Sequence, residues 1–212
     1  MTADPNEPTR PPPVSPNSDS ITPAGPHRVY QCLLIASFLP LCWLGMLVIH
    51  ELGHVASAVV TGGRVSRVVL HPLQLSRTDL AHNPHPGVVA WSGPVIGVLL
   101  PLTALALFHG FHLPGRYLVR FFAGFCLIAN GAYLGAGAWS GAGDAGDLLR
   151  TGTPCGILVA FGLLTVPAGL WLWNGQGKHF GLGAGAQRVE PTAAIVSLAL
   201  LLFTATLLAW LG

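Results

Sequence analysis

Beyond residue 28 the chain is a series of long apolar runs separated by short polar intervals. The first, Val29 to Thr61, exceeds the roughly 20 residues that a helix needs to cross a bilayer. Pro40 interrupts it, as do His50, Glu51 and His54 late in the run. A kink is expected near Pro40, because proline removes a helix hydrogen bond. Gly62 and Gly63 supply the backbone that commonly closes a helix, and Arg64 follows as a charge at headgroup level. Further runs cover Gly87–Phe108, Tyr117–Trp139, Cys155–Trp173 and Thr192–Leu211, so the pattern predicts an all-α membrane protein of five spans. Trp91, Trp139, Trp171, Trp173 and Trp210 fall near run ends, where an indole meets both lipid and water.

Three segments depart from this pattern. Residues 1–28 carry eight prolines and little to bury, which predicts a disordered tail ahead of a membrane domain over 29–212. Met1 to Ser20 lacks the basic start and apolar core of a signal peptide. Between spans 1 and 2, Val65–Thr78 mixes β-branched residues with Leu73-Gln74-Leu75-Ser76 alternation around His71-Pro72; a short hairpin and an irregular loop fit equally well. Between spans 3 and 4, Gly135–Asp147 is glycine-rich and holds two aspartates. Irregular backbone is expected there, tolerated at membrane depth where protein buries it or water reaches it.

Composition supports lipid as the main solvent. Only 8% of residues are charged, against roughly 25% in a soluble domain, and mean hydropathy is +0.59. A net charge of +2 from scattered basic residues excludes a nucleic-acid surface. Cys32, Cys42, Cys126 and Cys155 form no CxxC pair, so neither a disulfide framework nor a cysteine zinc site is expected.

The sharpest chemical signal is His50-Glu51-Leu52-Gly53-His54 inside span 1. Spacing i, i+4 puts both imidazoles on one helix face, one turn apart, as two ligands of one Zn²⁺ require. Glu51 lies about 100° around the helix, where it can take a proton from the water that attacks a peptide carbonyl and return it to the leaving amine. Chance would produce this pattern in under about 1% of such chains. Histidines packed without a metal would leave unexplained an acid in hydrocarbon, which costs up to about 3.5 kcal/mol on insertion scales.

Two histidines leave a catalytic zinc one protein ligand short. Outside the tail, the remaining acids are Asp79, Asp144, Asp147 and Glu190. Glu190 falls across the membrane from the motif, and Asp79 sits in a polar loop with Arg77, Thr78 and His82. The motif lies 8 to 12 residues before Gly62, about 12–18 Å deep, so the third ligand must dip to meet it. The glycine-rich run before Asp144 permits that dip. Asp147 is the alternative ligand, although it precedes Leu148-Leu149 and reads as the start of the next ordered element, and either aspartate also suits a helix N-cap. Asn130 lies within span 3, where its amide must bond a neighbouring helix or contact substrate. Arg64 and Arg67 read as headgroup anchors, His109 and His112 as interfacial residues, and His71, His82, His85 and His179 as loop residues.

From His50 to about Pro154 the chain resembles the site-2 protease family of intramembrane zinc metallopeptidases. The likeness rests on the motif in the first span, the Thr61-Gly62-Gly63-Arg64 exit, the hairpin-like segment, Ser92-Gly93-Pro94 and a distant aspartate after span 3. Where the better-known family pattern is Asn-Pro-Asp-Gly, this chain has Gly143-Asp144-Ala145-Gly146, followed by Thr151-Gly152-Thr153-Pro154. That is more similar to a small bacterial branch with an Asp-Ala segment. The resemblance implies Zn²⁺ held by His50, His54 and Asp144, with Glu51 as catalytic base. It also implies a membrane-protein substrate, a bacterial plasma membrane and a motif facing the cytoplasm. Charge alone does not orient the chain, since Arg64, Arg67, Arg77 and Arg150 on the motif's side are matched by Arg28, Arg116, Arg120, Lys178 and Arg188 on the other. Two alternatives are a non-proteolytic zinc-binding membrane protein, for which Glu51 would be superfluous, and a small transporter, for which no internal repeat is visible.

Overall fold

The computed structural model describes residues 26–71, 76–183 and 185–211. The tail expected to be disordered lies almost wholly outside the described residues, as does most of the Leu73–Ser76 alternation. Six α-helices and one short hairpin follow in order: α1 Pro26–Val60, β1 Arg64–Val69, β2 Arg77–His82, α2 Pro86–Gly110, α3 Arg116–Ser140, α4 Gly143–Arg150, α5 Cys155–Trp173 and α6 Pro191–Leu211. A 3₁₀ turn, Gly177–Phe180, lies between α5 and α6. Five of the helices are long and apolar enough to cross a membrane, and they match the five predicted runs. The chain is a multi-pass, all-α membrane protein.

Helix α1 begins three residues earlier than predicted, with proline in its first turn, and runs through Pro40 as one helix. Small residues let the spans approach. Gly124, Gly131 and Gly135 of α3 face Gly169, Thr165 and Gly162 of α5, and a Cβ at Gly162 would stand 2.8 Å from the Gly131 carbonyl oxygen. Such backbone contact is how helices associate where lipid removes the hydrophobic drive.

The segment between spans 1 and 2 is a hairpin, with β1 antiparallel to β2 and a register irregularity near Val65. Its second strand runs past Thr78 to His82, so Asp79 and His82 are strand residues rather than loop residues. The sequence RTDLAH carries little strand propensity of its own; pairing with the valine-rich β1 makes it a strand.

The glycine-rich segment is more regular than expected. Helix α3 continues to Ser140 and stops at Gly141, whose φ of +62° is the left-handed cap conformation. Two residues later the chain enters α4. Its apolar side, Ala145 and Leu148, is fully buried with Ala90, Leu134, Ala138 and Leu158, which seats this short helix against α2, α3 and α5.

Candidate metal centre

The helical period places His50 and His54 on the inner face of α1, where both are buried. Each ring is held by its Nδ1. His54 Nδ1 lies 2.8 Å from the carbonyl oxygen of Val89 in α2. A carbonyl only accepts, so this nitrogen carries the proton. His50 Nδ1 lies 2.8 Å from Asn130 Oδ1. The Asn130 amide nitrogen donates to the Cys126 carbonyl oxygen at 2.9 Å, which fixes the amide with its oxygen toward His50. His50 Nδ1 is therefore also a donor, and both Nε2 atoms keep their lone pairs. They lie 3.1 Å apart.

Helix α2 is cut away to admit these groups. A Cβ at Gly93 would overlap the His54 ring and stand 2.9 Å from His50 Nε2, and one at Gly97 would stand 2.7 Å from the Asn130 amide atoms. Gly53 in turn lies against the Ser92 carbonyl, and Ser57 and Ser92 share a hydroxyl hydrogen bond of 2.7 Å. The Ser92-Gly93-Pro94 segment is thus the backing of the histidine pair.

Asp144 completes the cluster. Its Oδ2 is 2.9 Å from His50 Nε2 and 3.3 Å from His54 Nε2. His50, His54 and Asp144 are the one group of potential ligands found close together among the described residues. Asp147 is elsewhere: it pairs with Arg150, both side chains largely exposed. Asp144 is thus the aspartate that lies beside the histidines, and the segment is a helix rather than the irregular turn expected. Both aspartates belong to α4, and the burial of Ala145 and Leu148 fixes the rotation that turns Asp144 toward α1. Burial pushes the Asp144 carboxyl up, yet its contacts with the His50 and His54 rings outweigh it and hold the group down at about 2.

Glu51 is 3% exposed. Its Oε2 accepts a 2.7 Å hydrogen bond from the Thr78 hydroxyl on β2. Glu51, the three potential ligands, Tyr133 and β2 residues Arg77 to Leu80 line one cavity of about 910 Å³. The arrangement can hold a cation and keeps a second carboxylate, not spent on the cluster, in the same chamber.

Asn130, expected either to bond a neighbouring helix or to touch substrate, is 1% exposed and spends both ends of its amide on His50 and Cys126. It orients the His50 ring and also lines the cavity. Asp79 pairs with Arg77, and His109 and His112 lie at the far end of α2 and in the turn after it. Sequence reasoning missed Thr78, Tyr133 and the Val89 carbonyl, whose types carry no signal of their own. Gly93 and Gly97 could have been found as a G-x-x-x-G pair in an apolar span. In comparisons with protein-family models, curated proteins and solved structures, nothing matches this chain.

Proposed function

We propose that this chain is a zinc-dependent intramembrane endopeptidase that hydrolyses a peptide bond of a membrane-embedded or membrane-associated protein. The observation that carries the reading is the convergence of three lone-pair donors within 3.3 Å of one another, both imidazoles locked by their outer nitrogens, beside a buried glutamate. Tetrahedral ligands around one ion must converge in this way, and two imidazoles plus a carboxylate leave a fourth position free. His50, His54 and Asp144 would hold the metal, which when bound polarises a carbonyl and makes water acidic near neutral pH.

The chain's own residues do the rest. Glu51 takes a proton from the attacking water and delivers it to the leaving nitrogen. Thr78 occupies Oε2 and leaves the other carboxylate oxygen for that water. A helical substrate offers no free carbonyl, so it must be unwound. Strand β2 borders the cavity and pairs on one side with β1, which suits it to hold an extended peptide by strand addition. By its resemblance we assign the protein to a bacterial plasma membrane, with the motif toward the cytoplasm. A site for metal storage or partner binding has no use for Glu51.

Metal analysis of the detergent-purified protein tests this. About one zinc per chain is expected, lost in His50→Ala and in His54→Ala. Glu51→Gln should keep zinc and fail to cut single-span reporter proteins that the wild type cuts. Full metal retention in both histidine variants overturns the metal assignment, and normal cleavage by Glu51→Gln overturns the mechanism.

A further inference from the structure

Tyr133 is the group beside the cluster whose chemistry is still unassigned. It sits one turn after Asn130 on α3, on the same face. Its ring stands edge-on to His50, with centroids 5.8 Å apart. The phenol oxygen accepts the backbone N–H of Asp144 at 3.1 Å. A phenol both accepts and donates. Among the described residues the hydroxyl proton has no acceptor, and the side chain lines the cavity shared by Glu51 and the three potential ligands. The backbone is also shaped for it: Gly143 has a φ of +56°, and a Cβ there would collide with the phenol oxygen.

We infer that Tyr133 is a catalytic residue that donates its hydroxyl hydrogen bond to the carbonyl oxygen of the scissile peptide. This rests on the peptidase reading above. As the water oxygen bonds the carbonyl carbon, the π pair moves onto the carbonyl oxygen while the water's proton goes to Glu51. Tyr133 keeps its own proton throughout, and its hydrogen bond strengthens as negative charge gathers on that oxygen. When the C–N bond breaks, the pair returns to re-form the carbonyl, and the nitrogen leaves with the proton from Glu51. A donor fixed in advance, its oxygen already anchored by Asp144 N–H, stabilises this charge without having to reorganise.

The competing role is a brace for Asp144, and Tyr133→Phe separates the two. With cleavage measured on the zinc-loaded protein, kcat should fall about 100-fold while KM and zinc content stay at wild-type values. Two small inhibitors give a readout independent of turnover. N-phosphoryl-leucinamide presents tetrahedral oxygens to the site, and its affinity should weaken about 10-fold or more in the variant. Benzyl mercaptan binds metal through sulfur and offers no oxygen, so its affinity should not change. Equal weakening of both inhibitors, or loss of zinc, makes Tyr133 a brace and overturns the inference; so does an unchanged phosphoryl affinity. If Glu51→Gln still cleaves, the base assignment falls while the inhibitor pair continues to score Tyr133. A wild type that binds neither inhibitor ends both readings.

Discussion

The two ends of the helical bundle both draw polar side chains at least partly out of solvent, but they use them differently. At the end away from the motif, Gln31 donates to the carbonyl oxygens of Phe180 and Gly181, Arg120 to that of Leu172, and the Trp173 indole to that of Phe121. Around them Phe38, Phe121, Phe180 and Trp173 pack together, with Phe121 and Trp173 stacked at a centroid distance of 4.9 Å. Each of these polar groups donates to a backbone acceptor. At the motif end the outer nitrogens of His50 and His54 are satisfied in the same way, but three acceptors then face one another across about 3 Å. Hydrogen bonding to backbone carbonyls is common to both ends. What marks the functional end is lone pairs aimed at a single point.

Paired substitutions at the two ends should sharpen the contrast. The largest effect is expected from Gly93→Ala, whose new methyl would occupy the space of the His54 ring; metal binding should be lost, as read by elemental analysis. Its counterpart Gly124→Ala, which presses on Trp173 at 2.7 Å, should lower thermal stability and leave zinc at the wild-type level. If both variants keep their metal, the close approach of α2 is not needed by the site.

Asn130→Ala removes an orienting partner of a potential ligand and should weaken zinc affinity by about 10- to 100-fold in chelator competition. Gln31→Ala removes two donor bonds at the other end and should shift only the melting temperature. Comparable zinc affinity in the two variants would erase the distinction between orienting and structural hydrogen bonds. A smaller effect is expected at Thr78. Thr78→Val should cut turnover about 10-fold with metal content intact, and Thr78→Ser should restore it, because the hydroxyl rather than the shape positions Glu51.

Acid is the mildest probe. A carboxyl held below its ordinary value contributes stability above that value and loses it as pH falls through the lowered one, here about 2. Asp144 therefore stays ionised between about pH 7 and about pH 5, so protonation of this carboxylate does not drive metal release over that interval. Calorimetry in two buffers of different ionisation enthalpy should detect protons given up on zinc binding. Over the same interval the near-ultraviolet circular dichroism of the aromatic end should not move.

How much of this was legible in the chain differs by scale. Lipid admits few backbone solutions, so apolar run length alone yields five spans and helical period alone puts His50 and His54 on one face. Both are local properties. The hairpin was only half legible, because β2 draws its pairing from β1 rather than from its own residues. The glycines before Asp144 suggested irregularity, yet one of them closes α3 and the chain re-enters a helix at once.

The sequence by itself determined the solvent, the number of crossings and the placing of His50 and His54 on one helix face, since each depends on residues within a turn or a run of one another. Only the tertiary structure decided that Asp144 and not Asp147 faces the histidines, that Asn130 serves His50, and that Thr78 holds Glu51. His50 and Asp144 are 94 positions apart, and their meeting depends on how α4 rotates when Ala145 and Leu148 are buried and on how far α2 can approach where it lacks a side chain at Gly93. Those are properties of packed surfaces, which exist only once several helices have met.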